Sequence, residues 1–263
     1  MKGYMSTQIE LCNIYDSGNP PDLNGRGFIS YKFQMAKYLI TNEQYIEFLK
    51  SFTKIPKTVV PSYTFYDERF CINQKLDCEV GSLRRPVCFI TPIAARAFCN
   101  FLYNKENNLP LDSESCYSIE KTKRLTDRGY FIPTKDEWYK AAYYNDGSYN
   151  LYPIKNNKEP TYVEVIGDRI TNVSPTTCNF SNAYDFKNYN GFTSRVGECG
   201  SCSQYDVYDM AGNLYEYIED GELLCLAGGS WHSFKDVMIK NVFIKYHEYT
   251  FNGSTIGLRV IKL

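Results

Sequence analysis

The sequence lacks any continuous apolar stretch long enough to cross a bilayer as a helix, which takes about 20 residues. The N-terminal stretch MKGYMSTQIELCNIYD also lacks the apolar segment typical of a secretion signal. Charge of one sign is not in excess, since 29 Lys and Arg face 30 Asp and Glu, and no basic cluster is present. These absences argue against nucleic-acid binding and membrane association, and they predict a cytoplasmic protein.

Histidine is scarce, with 2 residues, whereas cysteine is plentiful, with 10. A reducing compartment predicts free thiols, most of them packed as small apolar side chains. Cys199 and Cys202 form a single Cys-x-x-Cys pair, for which zinc would need two further ligands, and only His232 and His247 are at hand. We interpret this pair as a turn that carries two thiols, with zinc as the alternative.

Three segments have the signals that begin a helix. In LITNEQYIEFLKS and IPTKDEWYKAAYY, Thr41 and Thr134 are each followed three residues later by Gln or Glu, which predicts a capping box. In ITPIAARAFCNFL, Thr91 precedes Pro92 at the first helical position. Apolar residues then recur on one face of each segment.

The rest of the sequence indicates short strands and long loops. Residues 51–85 and 145–207 are rich in Asn, Gly, Pro, Ser and Asp. The stretches LLCLAGGSW (223–231), KNVFIKYHEY (240–249) and IGLRVIKL (256–263) have the composition of strands. This mixture predicts an α+β class with few helices.

The chain has no internal repeat and no low-complexity linker, so we predict one domain over residues 1–263. Residues 1–29 are expected to be an N-terminal extension packed on that domain. Within YDMAGNLYEYIED, the alternation of Tyr215 and Tyr217 with their neighbours predicts a half-buried strand whose tyrosine rings belong to the core.

Six segments together resemble one known family. They are FQMAKYLITNEQYIEFL, RPVCFITPIAARAFCNFL, FIPTKDEWYKAAYY, YDMAGNLYEYIED, AGGSW and IGLRVIK. They follow one another in the order of the formylglycine-generating enzyme (sulfatase-modifying factor) family, and the resemblance covers about residues 30–263. The fourth segment is similar to a Gly-Asn-x-Trp-Glu-Trp turn, with Tyr in place of both Trp.

The resemblance implies a C-type-lectin-like fold, in which two or three helices surround small, twisted antiparallel sheets with much irregular loop. The family includes copper-dependent oxidases that convert a sulfatase cysteine to formylglycine, halves of iron-dependent sulfoxide synthases, and ligand-binding proteins without catalysis. A sulfoxide synthase also needs a separate iron-binding domain with His ligands. This chain has no room for that domain and too few histidines.

The oxidases of the family hold copper with two cysteines, one three residues after the Ser of Gly-Gly-Ser and the other five residues later. This sequence has Ser233 and Met238 there, and residues 228–263 contain no Cys. Because Cu(I) prefers soft thiolate ligands, we expect no copper and no formylglycine-generating activity. Only a remote thiol, such as Cys225 or Cys202, could restore a ligand at this place.

The resemblance also implies a structural Ca²⁺ site at the YDMAGNLYEYIED turn. Its ligands would be the Asp209 side chain, the carbonyls of Gly212 and Leu214, and the Glu216 side chain, since Ca²⁺ binds six to eight oxygens. The alternative is that Asp209 caps the turn and Glu216 pairs with a Lys or Arg. Arg259, near the end of the chain, is expected to make a buried ion pair or to bind carbonyls.

A second Ca²⁺ site of the family corresponds to other residues of this sequence. These are the Asn179 side chain, the Phe180 carbonyl, the Asn190 side chain and the Phe192 carbonyl. The set contains no carboxylate, so the case for an ion there is weaker.

Family members place catalytic or ligand-contacting residues near the Gly-Gly-Ser-Trp segment. The corresponding residues here are Trp231, His232, Ser233, Phe234, Tyr246 and His247. Trp231 is expected in the core because of its size. His232 and Phe234 follow it in a loop-like stretch and are the better candidates for an exposed contact surface.

The sequence therefore predicts a domain of this family without the oxidase site, which we do not expect to be an enzyme. Its expected role is to bind a protein or small-molecule ligand through residues 231–254 and the long loops. One alternative is an enzyme of the same fold with metal-assisted chemistry, marked by polar side chains and a metal near Trp231. The other is a structural or assembly protein, marked by a stoichiometric partner.

Overall fold

The computed structural model describes residues 8–54, 56–61, 71–73, 75–119, 123–166, 169–181, 192–246 and 253–263, without the side chains of Lys245 and Tyr246. Within these ranges the α-helices are α1 (Asn42–Lys50), α2 (Pro92–Glu106) and α3 (Lys135–Tyr143). Short 3-10 turns cover Lys57–Val59, Val80–Ser82 and Lys235–Met238. No helix in these ranges is both long and apolar enough to cross a membrane.

Local capping chemistry begins each helix, and all three predicted starts are confirmed. Thr41 and Thr134 each accept a hydrogen bond from the backbone N–H three residues later, and the side chains of Gln44 and Glu137 each accept one from the capping residue's own N–H. The Thr91 side chain caps α2, and a proline follows at its first position.

Short strands form two four-stranded sheets and three small pairs among the described residues. The strands are β1 (Leu11–Ile14), β2 (Phe33–Ala36), β3 (Tyr130–Phe131), β4 (Tyr144–Asn145), β5 (Ser148–Tyr149), β6 (Thr161–Tyr162), β7 (Val165–Ile166), β8 (Arg169–Ile170), β9 (Thr177–Cys178), β10 (Tyr215–Asp220), β11 (Leu223–Ala227), β12 (Ile244–Tyr246), β13 (Ile256–Gly257) and β14 (Ile261–Lys262). One sheet has the order β1-β2-β14-β3 and is antiparallel; the other has the order β12-β11-β10-β13 and is antiparallel except for the β10–β13 pair.

The C-terminal stretch 256–263 contributes to both large sheets instead of forming one strand. Between β13 and β14, the Leu258 and Val260 carbonyls accept hydrogen bonds from the backbone N–H groups of Ile40 and Ala36. The chain therefore crosses from one sheet to the other over this short distance. A composition typical of strands does not reveal which sheet a residue joins, since that depends on neighbours distant in sequence.

Aromatic packing joins the first two helices. Tyr45 and Phe48 of α1 meet Phe98 and Phe101 of α2, with ring centroids 5.3–5.6 Å apart. All four side chains are buried. This cluster uses the apolar faces that the sequence predicts, and such ring pairs add stability beyond the area they bury.

A partly buried charge network fixes α3 against β10. The Arg124 guanidinium donates to the carboxylates of Glu137 in α3, at 3.2 Å, and Glu219 in β10, at 2.9 Å. The hydroxyls of Tyr31 and Tyr117 donate to the same two carboxylates, each at 2.7 Å. Because the carboxylates have both a cation and a hydroxyl donor, they can be buried here.

The N-terminal segment lies on the outer face of α3. The backbone N–H of Gly27 donates to Asp136 Oδ1 at 2.8 Å, and Tyr139 Oη donates to Asp22 Oδ2 at 2.6 Å. Lys140 Nζ donates to the carbonyl of Asp16 at 2.9 Å. These polar contacts hold residues 16–27 to the helix.

Candidate functional site

The turn before β10 has an unusual backbone in a buried place. Asp209, Gly212 and Asn213 all have positive φ, at 58°, 83° and 62°. A Cβ atom at Gly212 would lie 2.3 Å from the carbonyl oxygen of Asn179, so no side chain fits there. Glycine is therefore required at this position by both its conformation and its surroundings.

Asn213 connects the turn to three other segments. Its backbone N–H donates to the Asn179 carbonyl at 2.8 Å, and its carbonyl accepts from the Trp231 backbone N–H at 2.9 Å. Its side chain accepts from the Ser194 N–H and donates to the Ser194 carbonyl, at 3.0 and 3.3 Å. We predicted no role for Asn213 from the sequence; the tolerance of Asn for positive φ was the available signal.

Glu216 carries a buried ion pair. Both of its carboxylate oxygens accept from Arg259, through Nε at 2.9 Å and Nη2 at 2.8 Å, and Trp138 Nε1 adds a third donor at 2.7 Å. The guanidinium also donates to the carbonyls of Ala36 and Tyr208. The three side chains are fully buried, so the expectation of a buried role for Arg259 is confirmed.

The same contacts correct our description of β10 as half-buried. Glu216 points to one side of the strand and Tyr217 to the other, and both are buried. Tyr215, which we expected in the core, is only partly buried, and its hydroxyl accepts from Ser233 Oγ at 3.0 Å. The alternation of tyrosines with other residues could not show that Arg259 pairs with Glu216 and so buries the second face of β10.

The carboxylate of Glu216 is already occupied by a guanidinium, at the place where the calcium site would need it as a ligand. A cation bound by Asp209, the Gly212 and Leu214 carbonyls and Glu216 would have to displace Arg259 from a bidentate contact. Within the described ranges no group of three His, Cys, Asp or Glu is arranged to hold a metal. The salt bridge that the sequence left open as the alternative is therefore the arrangement present at Glu216.

The second set of oxygen ligands is only partly described, because Asn190 lies outside the described residues. The Asn179 side chain donates through Nδ2 to the Phe192 carbonyl at 2.9 Å. Phe180 is partly buried beside an apolar cluster that includes Met238. These groups provide neutral oxygen ligands, and calcium at this place stays a prediction.

In an Asn179→Ala variant, which lacks a side-chain ligand of the second set, we expect millimolar calcium to leave the melting temperature within about 1 °C of its value in chelator, because Arg259 already neutralises Glu216, the carboxylate that the first set takes from β10. Differential scanning calorimetry in the two buffers measures this. A rise of several degrees in this variant would contradict the expectation, whereas a rise that is seen in the wild type and absent from the variant would assign the ion to the second set.

Asp209 is a buried carboxylic acid close to this ion pair. Its Oδ2 accepts from the Gly197 backbone N–H at 2.6 Å, and the residue is 3% exposed. Burial raises the pKa of Asp209 to about 6, against the smaller lowering effects of the Gly197 hydrogen bond and Arg259. A group with this pKa changes charge in the mildly acidic range.

The candidate ligand residues divide into a buried anchor and an exposed loop. Trp231 is 7% exposed, as expected for a core residue, and its Nε1 donates to the Ser254 carbonyl at 3.1 Å. His232 and Phe234 are exposed, and Phe234 is 53% exposed. The side chain of Tyr246, and His247 as a whole, lie outside the described residues.

Hydroxyls occupy the place where the oxidases have their first thiol. Ser233 Oγ accepts from the Ser230 backbone N–H at 3.0 Å, lies 3.1 Å from the Ser230 hydroxyl, and donates to Tyr215 Oη. Met238, at the second thiol position, is completely buried in an apolar cluster with Tyr152. A weakly acidic hydroxyl and a buried thioether are poor substitutes for two thiolates.

The Cys-x-x-Cys pair has the environment of two separate thiols. Cys199 is buried, with Sγ 3.4 Å from the Ser194 hydroxyl, and Cys202 is half-buried, with Sγ 3.8 Å from Asp206 Oδ1. Burial raises the pKa of both thiols, which disfavours the thiolate that zinc requires.

Comparison with known proteins identifies the family. The sequence model described as "Sulfatase-modifying factor enzyme 1-like domain" matches residues 27–263. The chain belongs to this family. The match includes the Asn213 turn, the Trp231 segment and the Arg259 ion pair. No curated protein matches the chain by sequence alone.

Solved structures of similar proteins confirm the α+β, C-type-lectin-like fold. Treponema denticola variable protein 1 is 17% identical, with a TM-score of 0.63, and the match covers 98% of this chain and 97% of that one. CarF is 19% identical, with coverages of 97% and 98% and a TM-score of 0.61. PvdO from Pseudomonas aeruginosa is 16% identical, with coverages of 98% and 95% and a TM-score of 0.60. At these identities the likeness concerns the fold alone.

Proposed function

We propose that this domain is a binding module for a protein or small-molecule ligand, that it uses the surface of residues 231–254, and that it does not perform the copper-dependent oxidation. The replacement of the two thiols carries this proposal. Ser233 is engaged with Ser230 and Tyr215, and Met238 is buried in apolar packing. Neither side chain is a ligand that a soft metal prefers, which argues against the copper centre of the oxidases.

The arrangement around Trp231 suits recognition. The buried indole fixes the loop from below, while His232 and Phe234 project from it. Exposed aromatic rings can supply apolar contact, the imidazole of His232 can also make hydrogen bonds, and such rings lose little entropy when a ligand binds. A reducing compartment such as the cytoplasm suits a domain whose ten cysteines are all thiols.

Immobilised glycan and peptide libraries provide the first test, with calorimetry to measure the Kd of each hit. We expect a double variant, His232→Ala with Phe234→Ala, to weaken binding of the ligand at least about tenfold, since exposed aromatics are frequent binding hot spots. Leu109→Ala, at an exposed apolar residue after α2, is the matched control and should bind like the wild type. Equal binding by the double variant and the wild type would overturn the proposal.

The metal-assisted enzyme of the same fold is supported by one observation, the hydroxyl cluster of Ser230, Ser233 and Tyr215 next to Trp231. Turnover of a captured small-molecule ligand in the presence of added divalent metal would favour it. An assembly role would appear instead as a partner that co-purifies in fixed stoichiometry and resists dissociation.

A further inference from the structure

Two cysteines that are separated in sequence lie side by side in the fold. The Sγ atoms of Cys71 and Cys88 are 3.5 Å apart, and the residues are 6% and 7% exposed. Both are present as thiols. A disulfide needs an S–S distance of about 2.0 Å, so the sulfurs must approach by about 1.5 Å, a shift within the range of side-chain rotation.

The pair belongs to the small apolar cluster that supports the proposed binding surface. Cys71, Cys88 and Trp231 are all members of this cluster. The backbone N–H of Phe89, next to Cys88, donates to the Gly253 carbonyl at 3.0 Å. A change at the two sulfurs is therefore made next to Trp231 and Gly253, near the two ends of the proposed binding segment.

We propose that Cys71 and Cys88 are a redox-active dithiol that a hydroperoxide converts into a disulfide. In the first step one sulfur attacks the peroxide O–O bond, which breaks to give a sulfenic acid and one water. In the second step the other sulfur attacks the sulfenic sulfur, the S–S bond forms, and the hydroxyl leaves as a second water with the remaining thiol proton. Two thiols lose two electrons and two protons, and hydrogen peroxide takes them up.

The burial of the two thiols slows this oxidation. The hydrogen bond to Cys71 and the loss of solvent raise the pKa of the Cys88 thiol well above its usual value. Since the thiolate is the reacting form, oxidation is slow at neutral pH and should quicken about tenfold between pH 7 and pH 8. A small oxidant such as hydrogen peroxide suits two sulfurs with this little exposure.

The disulfide would close the loop from residue 71 to residue 88. That loop holds the turn Val80–Ser82 and Arg84, whose carbonyl accepts from the Val196 backbone N–H at 2.9 Å. Closing a loop of this length restricts the unfolded chain, and we expect the melting temperature to rise by about 5–10 °C.

The test is oxidation of the full chain with hydrogen peroxide at pH 8, followed by acid quenching, alkylation in denaturant and non-reducing peptide mass spectrometry. We expect most molecules to contain a peptide that links Cys71 to Cys88, two hydrogens lighter than the sum of its parts. Dithiothreitol should remove the link and the gain in melting temperature together.

Cys78→Ser is the matched control, because Cys78 lies in the same loop and is also buried. This variant should form the link like the wild type, whereas Cys88→Ser should form none and gain no stability. The proposal is overturned if Cys71 and Cys88 of the peroxide-treated wild type are alkylated as fully as in the reduced sample. It is equally overturned if the linked partner is Cys78. Neither readout depends on ligand binding, so failure here is distinguishable from failure of the proposed function.

Discussion

Arg259→Met is expected to destabilise the fold by about 3–5 kcal/mol, because it leaves the Glu216 carboxylate buried with only the Trp138 indole as a charge-stabilising donor. The melting temperature should fall by roughly 6–20 °C. Urea unfolding monitored by tryptophan fluorescence measures the loss. The ion pair joins the C-terminal crossing to β10, so its loss loosens the contact between the two large sheets.

A double variant separates the ion pair from packing. In Arg259→Met with Glu216→Gln, the buried charge is gone and the amide oxygen can still accept from Trp138 Nε1. We expect this variant to be more stable than Arg259→Met alone. Lys155→Met, which removes an exposed ion pair with Asp206, should change stability by no more than about 0.5 kcal/mol. The assigned contact would be contradicted if the stability loss of the double variant equalled the sum of the losses of Arg259→Met and Glu216→Gln measured singly.

Asp209→Asn is expected to stabilise the protein at pH 7 by about 3 kcal/mol and to leave it unchanged below about pH 4. Burial raises the pKa of Asp209 to about 6 in the folded state, whereas an unfolded Asp titrates near pH 4. Between these values the unfolded chain has released its proton while the folded chain retains it. Rising pH therefore lowers the free energy of unfolding across this window, and above pH 6 the wild type has the full destabilisation.

The asparagine variant keeps the local geometry, because its side-chain oxygen can accept from the Gly197 N–H and asparagine tolerates a φ of 58°. Urea unfolding at pH values from 4 to 7.5 measures the difference between variant and wild type. Asp206→Asn is the control, since Asp206 has a similar φ of 59° but is exposed. A stability difference at Asp209 that stays constant with pH would show that the buried charge is not its cause.

The turn that the sequence assigned to calcium has a guanidinium at Glu216, the carboxylate that this ligand set takes from β10. An acid at Asp209 then sits beside an ion pair that is already neutral. The buried charge of Asp209 therefore destabilises the folded state at neutral pH, and the Asp209→Asn variant measures this cost.

The sequence by itself determined the local structure and the family. Thr41, Thr91 and Thr134 begin helices because a side-chain oxygen three residues from a free N–H is a short-range interaction that sequence spacing specifies. The six ordered segments likewise identified the fold without coordinates. Exposure of Phe234 after a buried Trp231 also followed from residue type and position.

Only the tertiary structure decided the partners of the buried polar groups. Glu216 and Arg259 are 43 positions apart, and Cys71 and Cys88 are 17 apart. Neither pair is marked by any local pattern. The sequence could state that a carboxylate at Glu216 needs a cation but not whether this is calcium or an arginine. The reason is physical: hydrogen bonding and burial select the nearest group in space, and chain crossings such as the one between β13 and β14 set which group that is.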